Sequence, residues 1–302
     1  MTENDAYIRE ETQKETECET TNKLEAKLYL CATPIGNMGD ITDRVRAALA
    51  YASAIYCEDT RNTAALLTRL GIKNKSLIAA HMHNEEEASR QIADRVRAGT
   101  AIAYVSDAGM PCISDPGERI VKHFIEENLP FEVLPGANAA LTAAILSGLG
   151  TRRIYFAGFL PRENKERAEF LAEIAKVKAT IIIYESPFRA AETLGELMRL
   201  LGNRKASVSR ELTKLYEQTV RGDLNTLAEK YASEPPKGEC VICVSGEEAE
   251  AFSQKESMDE MLSRLLDSGM SVKDAAKQAA LLLDVPRSLA YAKANEIKQK
   301  TK

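Results

Sequence analysis

The chain has 302 residues, of which 44% are hydrophobic and 28% charged, and a net charge of -5. That balance excludes a collagenous or wholly disordered chain and suits two ordinary globular domains with a small appendage. No apolar run approaches the length that crosses a bilayer, and the opening residues are too polar and acidic for a secretory signal or transit peptide, so the expected location is cytoplasmic. The charge is uneven: residues 1–26 hold eight acids against three bases, and the remainder has 37 of each. This acidic tail lacks apolar periodicity and is expected to be disordered, so the bulk charge says little about a partner.

From Lys27 onward, short apolar runs alternate with helical patterns, the signature of an α/β domain with a largely parallel sheet. LYLCAT, AIYCE, SLIAAH, AIAYVSD and FEVLPG are predicted strands. Helices are predicted over 42–52, 60–70, 85–98, 114–127 and 137–148. At one strand-to-helix junction, HMHNEEEA carries His81 and His83, which are expected to be structural or substrate-lining, and Asn84, which is expected to cap the following turn. SGLGTRR is then a predicted hinge, followed by strands in IYFAGF, ATIIIYES, KASVSREL and ECVICVSG, with KLYEQTVRG expected to pair antiparallel.

Six cysteines (Cys18, Cys31, Cys57, Cys112, Cys240 and Cys243) without an export signal read as reduced thiols. Cys240 and Cys243 have CxxC spacing, but in a strand residues three apart face opposite ways, so both are expected to be core. With three histidines, His81, His83 and His123, and no second cysteine pair, no metal site is expected.

After Gly246, EEAEAFSQKES reads as a linker and leads to three amphipathic helices broken by Gly269 and Pro286. Ser271 with Asp274 resembles a helix start, and Pro286 fits a first-turn position. The last helix carries Arg287, Lys293, Lys298, Lys300 and Lys302 against Glu296, which suits RNA contact, a dimer contact or a solvated face equally. The expected organisation is an acidic tail (1–26), an N-terminal α/β domain (27–150), a second α/β domain (151–246) and a helical module (255–302).

Three loops in the first domain directly follow predicted strands and are rich in glycine and small polar residues: TPIGNMGD (33–40), SDAGMPCISDPG (106–117) and LPGANAA (134–140). Such strand ends expose backbone N–H groups at one sheet edge, where α/β proteins bind ligands. Neither GxxxxGK[ST] nor GxGxxG is present, so recognition through a polyphosphate is not expected. Candidate proton-handling groups are Glu58, Asp59 and Arg61 in EDTR and Glu211 and Lys214 in SRELTKLYEQ. A lysine beside carboxylates either has its pKa lowered by burial and a neighbouring cation or forms an ordinary ion pair. Arg152, Arg153, Arg162, Lys165 and Arg167 surround LPRENKER, as an RNA phosphate grip or as a generic basic surface.

The strings ATPIGNMGDITDRV, YCEDTRNTAALL, YVSDAGMPCISDPG, LPGANAAL, AGFLPRENKER, YESPFRAAETL and SRELTKLYEQTVRG, in this order, resemble the bacterial small-subunit ribosomal RNA methyltransferase I family of 2'-O-ribose cytidine methylases. The resemblance runs from about residue 27 to 246, and the final helices resemble that family's C-terminal module; the acidic tail lies outside the pattern. It implies a two-domain tetrapyrrole-methylase fold with S-adenosyl-L-methionine in the interdomain cleft. SDAGMPCISDPG occupies the place of a GDP-type motif, which makes Asp107, Ala108, Gly109, Ile113 and Ser114 donor contacts. Pro34 and Gly36, Ala137 and Asn138, Tyr184 and Glu185, and Arg210 and Leu212 complete the implied site. The implied substrate is a cytidine in the decoding region of 16S ribosomal RNA in the small ribosomal subunit, and the implied assembly is a homodimer. Two other readings remain: a tetrapyrrole methylase acting on a porphyrin-like ring, and an RNA-binding ribosome-assembly factor without turnover. EDTR, ESPFR, LPRENKER and the C-terminal helices speak against the small-ring reading.

Overall fold

The structure, a computed structural model, describes residues 24–246, 258–267, 270–283 and 285–300. Residues 1–23 of the acidic tail and the linker at 247–257 lie outside the described residues. The chain divides after Gly246 into two compact units.

In the first unit, apolar runs form β1 (Leu28–Cys31), β2 (Ala54–Cys57), β3 (Leu77–Ala79), β4 (Ile102–Val105) and β5 (Phe131–Leu134). They pair in parallel in the order β3-β2-β4-β1-β5. Between and after them run α1 (Asp43–Tyr51), α2 (Thr60–Arg69), α3 (Glu85–Arg97), α4 (Glu118–Glu126) and α5 (Ala139–Ser147). Strands buried on both faces read as continuous apolar runs. Leu28, Leu30, Tyr56, Ile102 and Tyr104 pack against Ile92 of α3 and Ile120 and Phe124 of α4. On the other face Tyr29, Cys31, Ile55 and Cys57 meet Val45 and Leu49 of α1 and Leu67 of α2.

Side-chain caps fix several helix starts: Thr42 accepts from the Val45 N–H, Asp59 from Arg61 and Asn138 from Leu141. Asn84 differs from expectation. Its amide turns backward, accepting from the His81 N–H at 2.8 Å and donating to the Ala79 carbonyl at 2.9 Å, so it braces the β3–α3 turn and leaves the helix uncapped by a side chain. The helix expected from residue 114 begins at Glu118, because Ser114 (φ 64) and Gly117 (φ 127) adopt conformations that cannot propagate a right-handed helix.

The second sheet comprises β6 (Ile154–Phe159), β7 (Thr180–Glu185), β8 (Lys205–Arg210), β9 (Gln218–Asp223) and β10 (Cys240–Val244), in the order β6-β7-β10-β8-β9. β6 and β7 are parallel and the other pairs antiparallel. The return expected of KLYEQTVRG is β9 on β8. One face packs Ile181, Ile183, Val208 and Ile242 against Leu194 and Leu197 of α7 (Ala190–Leu201) and Leu224 and Leu227 of α8 (Leu224–Ser233). The other face receives α5: Ala140, Ala143 and Ala144 lie on Ile182, Val241 and Cys243. Small side chains on one stripe let this helix approach the sheet closely, so the element that ends the first half covers the second. Cys240 and Cys243 belong to these two different cores, on opposite faces of β10.

The second unit is three helices, α9 (Met258–Asp267), α10 (Val272–Leu283) and α11 (Arg287–Lys300), around Met261, Leu262, Leu265 and a set of alanines including Ala275, Ala279 and Ala290. The Ser271 hydroxyl accepts from the Asp274 N–H at 3.2 Å and donates to its carboxylate at 2.6 Å, a reciprocal start for α10. Among the described residues no helix is long and apolar enough to cross a membrane.

Gly117 is the tightest backbone position behind the second glycine-rich loop. A Cβ there would lie 2.6 Å from Cys112 Sγ and 3.0 Å from the Tyr104 ring, at a φ of 127° that L side chains avoid. Gly117→Ala is expected to destabilise the protein by about 1–3 kcal/mol through overpacking and strain. Chemical denaturation measures this, and a variant as stable as wild type would refute the packing account.

Candidate functional site

Strand order assembles the site. β4, β1 and β5 are adjacent and parallel, so the loops that follow them leave the same sheet edge side by side, about 4.8 Å apart per strand. Two of these loops are tied to each other: Thr33 N–H donates to the Gly109 carbonyl at 2.8 Å, and Gly109 N–H returns to Thr33 at 3.0 Å. The third passes so near β1 that a Cβ on Gly136 would lie 2.9 Å from the Ala32 methyl. The first loop also meets the turn between β8 and β9, with Asn37 N–H donating to Thr213 Oγ1 at 3.0 Å. A Cβ on Gly36 would strike the Lys214 side chain.

These loops form one side of a cavity of about 910 Å³. Ile35, Asp107, Ala108, Gly109, Ile113, Ser114, Asp115 and Asn138 line that side, together with Glu58 from the end of β2. From the second half come Tyr184, Glu185 and Val241 of the sheet and Leu212 of the turn after β8. Of the expected donor contacts, Pro34, Gly36 and Ala137 flank lining residues without lining the cavity themselves. Arg210 is turned to Gln218, its Nε donating at 3.0 Å, and also lies outside the lining.

The floor is acidic. Asp107 Oδ2 accepts from Asn62 Nδ2 at 2.8 Å. Burial pushes the Asp115 carboxyl up to about 6; the Ser106 hydroxyl opposes the shift and the nearby charges of Glu58 and Asp107 add to it. Glu58 is likewise raised, first by burial and then by Asp107. Carboxylates crowded in a half-buried pocket favour a cationic ligand, which relieves their mutual repulsion.

Of the five proton-handling candidates, Glu58 alone lines the cavity. Asp59 caps α2 and pairs with Arg61 at 2.6 Å, and the Arg61 side chain is 88% exposed, so both serve the surface. Lys214 sits 3.0 Å from Glu211 and 3.6 Å from Glu239. Burial works against its charge, but the two carboxylates outweigh it and the pKa rises. This is the ordinary ion pair of the two alternatives, with Lys214 raised and not lowered. His81 and His83 meet edge to face, 5.9 Å between centroids, outside the lining.

The basic stretch of residues 152–167 is not one patch. Arg152 and Arg153 precede β6, whereas Arg162 and Lys165 follow it, and a six-residue strand separates them by roughly 20 Å. Arg167 is buried, 5% exposed. Its guanidinium donates to Glu196 at 2.7 Å, to Thr193 Oγ1 at 2.8 Å and to the Pro161 carbonyl at 3.3 Å. Arg167 also lines the cavity, and a charge satisfied in this way holds the 161–163 loop to α7. The same network reaches Glu185, which accepts from Thr193 Oγ1 at 2.6 Å and from the Ser186 N–H at 2.8 Å. Asp115, Glu239 and Val241 line the cavity without having been singled out in the sequence. Asp115 lay inside a recognised glycine-rich string, but nothing distinguished Val241 from any buried strand residue.

Residues 27–228 match the family model of tetrapyrrole (corrin/porphyrin) methylases. The chain is 42% identical over 269 residues, 87% of this chain and 93% of the relative, to ribosomal RNA small subunit methyltransferase I of Halalkalibacterium halodurans. It is 40% identical over 270 residues, 87% of this chain and 92% of the relative, to the protein of the same description from Bacillus subtilis. Among solved structures it resembles uroporphyrin-III C-methyl transferase from Thermus thermophilus complexed with S-adenyl homocysteine (TM-score 0.53, 19% identity, 72% of this chain and 97% of that one). It also resembles diphthine synthase (TM-score 0.58, 14% identity, 72% of this chain and 89% of that one), a likeness of fold alone. With a family match running from β1 into α8 and relatives at this identity across nearly their whole length, the chain belongs to the ribosomal RNA small subunit methyltransferase I family of the tetrapyrrole methylases.

Proposed function

We propose that this chain transfers a methyl group from S-adenosylmethionine to the 2'-hydroxyl of a cytidine in the decoding region of 16S ribosomal RNA. It acts on the small ribosomal subunit, in the cytoplasm, as a homodimer. Residues 27–150 and 151–246 serve as the two lobes of the site and 255–302 as an accessory helical module. The observation that carries this reading is the acidic cavity built by the adjacent loops of β4, β1 and β5, in a chain whose family methylates.

The lining fits the donor. Asp107, Asp115 and Glu58 offer negative potential to a sulfonium, Ile35, Ile113, Leu212 and Val241 offer an apolar face to adenine, and the glycine-rich loops offer close backbone approach. When bound, the donor supplies a methyl carbon activated by the positive sulfur. Asp107, steadied by Asn62, orients the donor's polar groups. The acceptor hydroxyl is a weak nucleophile, so positioning comes first and proton removal late. Glu58, the one proton-handling candidate on the cavity wall and with a raised pKa, takes that proton. Lys214 stays cationic and braces the Glu211 turn.

Labelled methyl transfer to small subunits from cells lacking this gene tests the reading, with the nucleoside identified by mass spectrometry. The expected product is 2'-O-methylcytidine. Transfer to a tetrapyrrole and not to RNA would replace the reading with the small-ring one, and donor binding without any transfer would replace it with the assembly factor. Asp107→Asn is expected to weaken donor binding about 10- to 100-fold, the loss of a hydrogen bond to a charged group, and to reduce methylation in parallel. Unaltered donor affinity would remove Asp107 from the site.

Donor affinity should also depend on pH. Because the folded-state pKa of Asp115 is raised to about 6, its contribution to the stability of the empty protein is present at low pH and declines as pH rises through that value. A cationic donor has the opposite preference and binds the ionised form. Affinity measured by calorimetry is therefore expected to increase as pH rises through about 6, and Asp115→Asn to flatten that slope. An equal slope in the variant would assign the titration elsewhere.

A further inference from the structure

The ESPFR string contributes Glu185, Ser186, Pro187 and Arg189 to the cavity wall, yet the residue among them, Phe188, is 91% exposed. Exposing nearly a whole phenyl ring forgoes about 1.5–3 kcal/mol of burial, and the fold gains nothing visible from it. A single exposed aromatic is ordinary, but this one has company. Phe159, at the end of β6, lines the same cavity and is 61% exposed. It lies beside Tyr184 of β7 in strand register and meets its ring edge to face at 5.5 Å. Phe188 follows the end of β7 by three residues, within a turn closed by the Arg189 N–H on the Ser186 carbonyl, 3.0 Å. Both rings therefore belong to the ends of two neighbouring strands.

Each ring also has an arginine near it in the chain and on the cavity wall. Arg162 follows Phe159 by three residues, is exposed and makes no ion pair among the described residues. Arg189 adjoins Phe188, and its contact with Glu185 is long, 3.9 Å. Exposed aromatic faces alternating with guanidinium groups are the means by which proteins hold unpaired nucleotides: the rings stack on bases and the arginines take phosphates. A porphyrin-like substrate carrying several carboxylates would satisfy the arginines but has no need of a solvent-projecting ring outside the cavity wall.

We propose that Phe188, after the end of β7, together with Phe159 at the end of the neighbouring β6, is the stacking platform for an unpaired base of the RNA substrate, with Arg162 and Arg189 on the neighbouring phosphates. This rests on the RNA reading above. The platform positions the acceptor and has no part in binding the donor.

The test compares Phe188→Ala and Phe188→Trp in methyl transfer to small subunits, with donor affinity and thermal melting measured on the same preparations. Base stacking lost by alanine substitution predicts a rise in KM for the subunit of roughly tenfold or more. Donor affinity and melting temperature are expected to stay at wild-type values, and the tryptophan variant to retain a wild-type KM. An alanine variant with wild-type KM and kcat overturns the platform while leaving the RNA reading intact, and so does a tryptophan variant as impaired as alanine. A wild-type protein that methylates no RNA in the same assay overturns both.

Discussion

The paired hydrogen bonds between Thr33 and Gly109 hold the site together. They join the loops after β1 and β4, segments far apart in the chain, and set the width of the gap into which Ile35 and Asp107 project. The bridge exists because β1 and β4 are neighbours and parallel, so their carboxyl ends stop at the same height. It also needs Gly109, whose φ of 80° turns the second loop back toward the first. To this tie are added the third loop, packed on Ala32 at Gly136, and the hydrogen bond from Asn37 to Thr213.

Much of this was legible in the sequence. Short apolar runs identify all five strands of the first sheet, most plainly β1, β2 and β4, which are buried along their whole length and leave little ambiguity in period. The three loops stand out as glycine-rich strings directly after strands. What linear reading cannot supply is order: that the loops at 33–40, 106–117 and 134–140 are adjacent follows from β4-β1-β5 pairing, a fact of topology. The second wall was legible for Tyr184, Glu185 and Leu212 through motif resemblance, and illegible for Val241, an interior strand residue like its neighbours.

The basic stretch shows the reverse error. Five cations within sixteen residues read as one surface, yet β6 runs through the middle and sends Arg152 and Arg153 to the opposite end from Arg162. Arg167 sits on the inward side of α6 (Asn164–Ile174), where Glu196 and Thr193 satisfy it. Charge density along a chain measures a patch only where the backbone turns back on itself. In SRELTKLYEQ the same caution applies to Lys214: its neighbours in space, Glu211 and Glu239, pair with it and raise its pKa, which favours the ordinary ion pair.

Carboxylates line the cavity from both halves, Glu58, Asp107 and Asp115 from the first and Glu185, Glu192, Glu196 and Glu239 from the second, and this bears on the proposed chemistry. Glu58, Asp107 and Asp115 form an acidic floor that suits a sulfonium, yet such a floor repels a polyanion such as RNA. An enzyme that brings both ligands to one cavity must admit the nucleoside and keep the phosphates out. Arg162 and Arg189, which follow β6 and β7, also line the cavity and offer guanidinium groups to the phosphates. A ribose reaching inward from a backbone held by them presents its hydroxyl to the floor while its phosphates stay with the arginines. On the proposed reading, this conflict of sign favours an extruded nucleotide over a duplex laid across the cavity, because in a duplex the phosphate spacing is fixed and the ribose cannot reach the carboxylates without the phosphates.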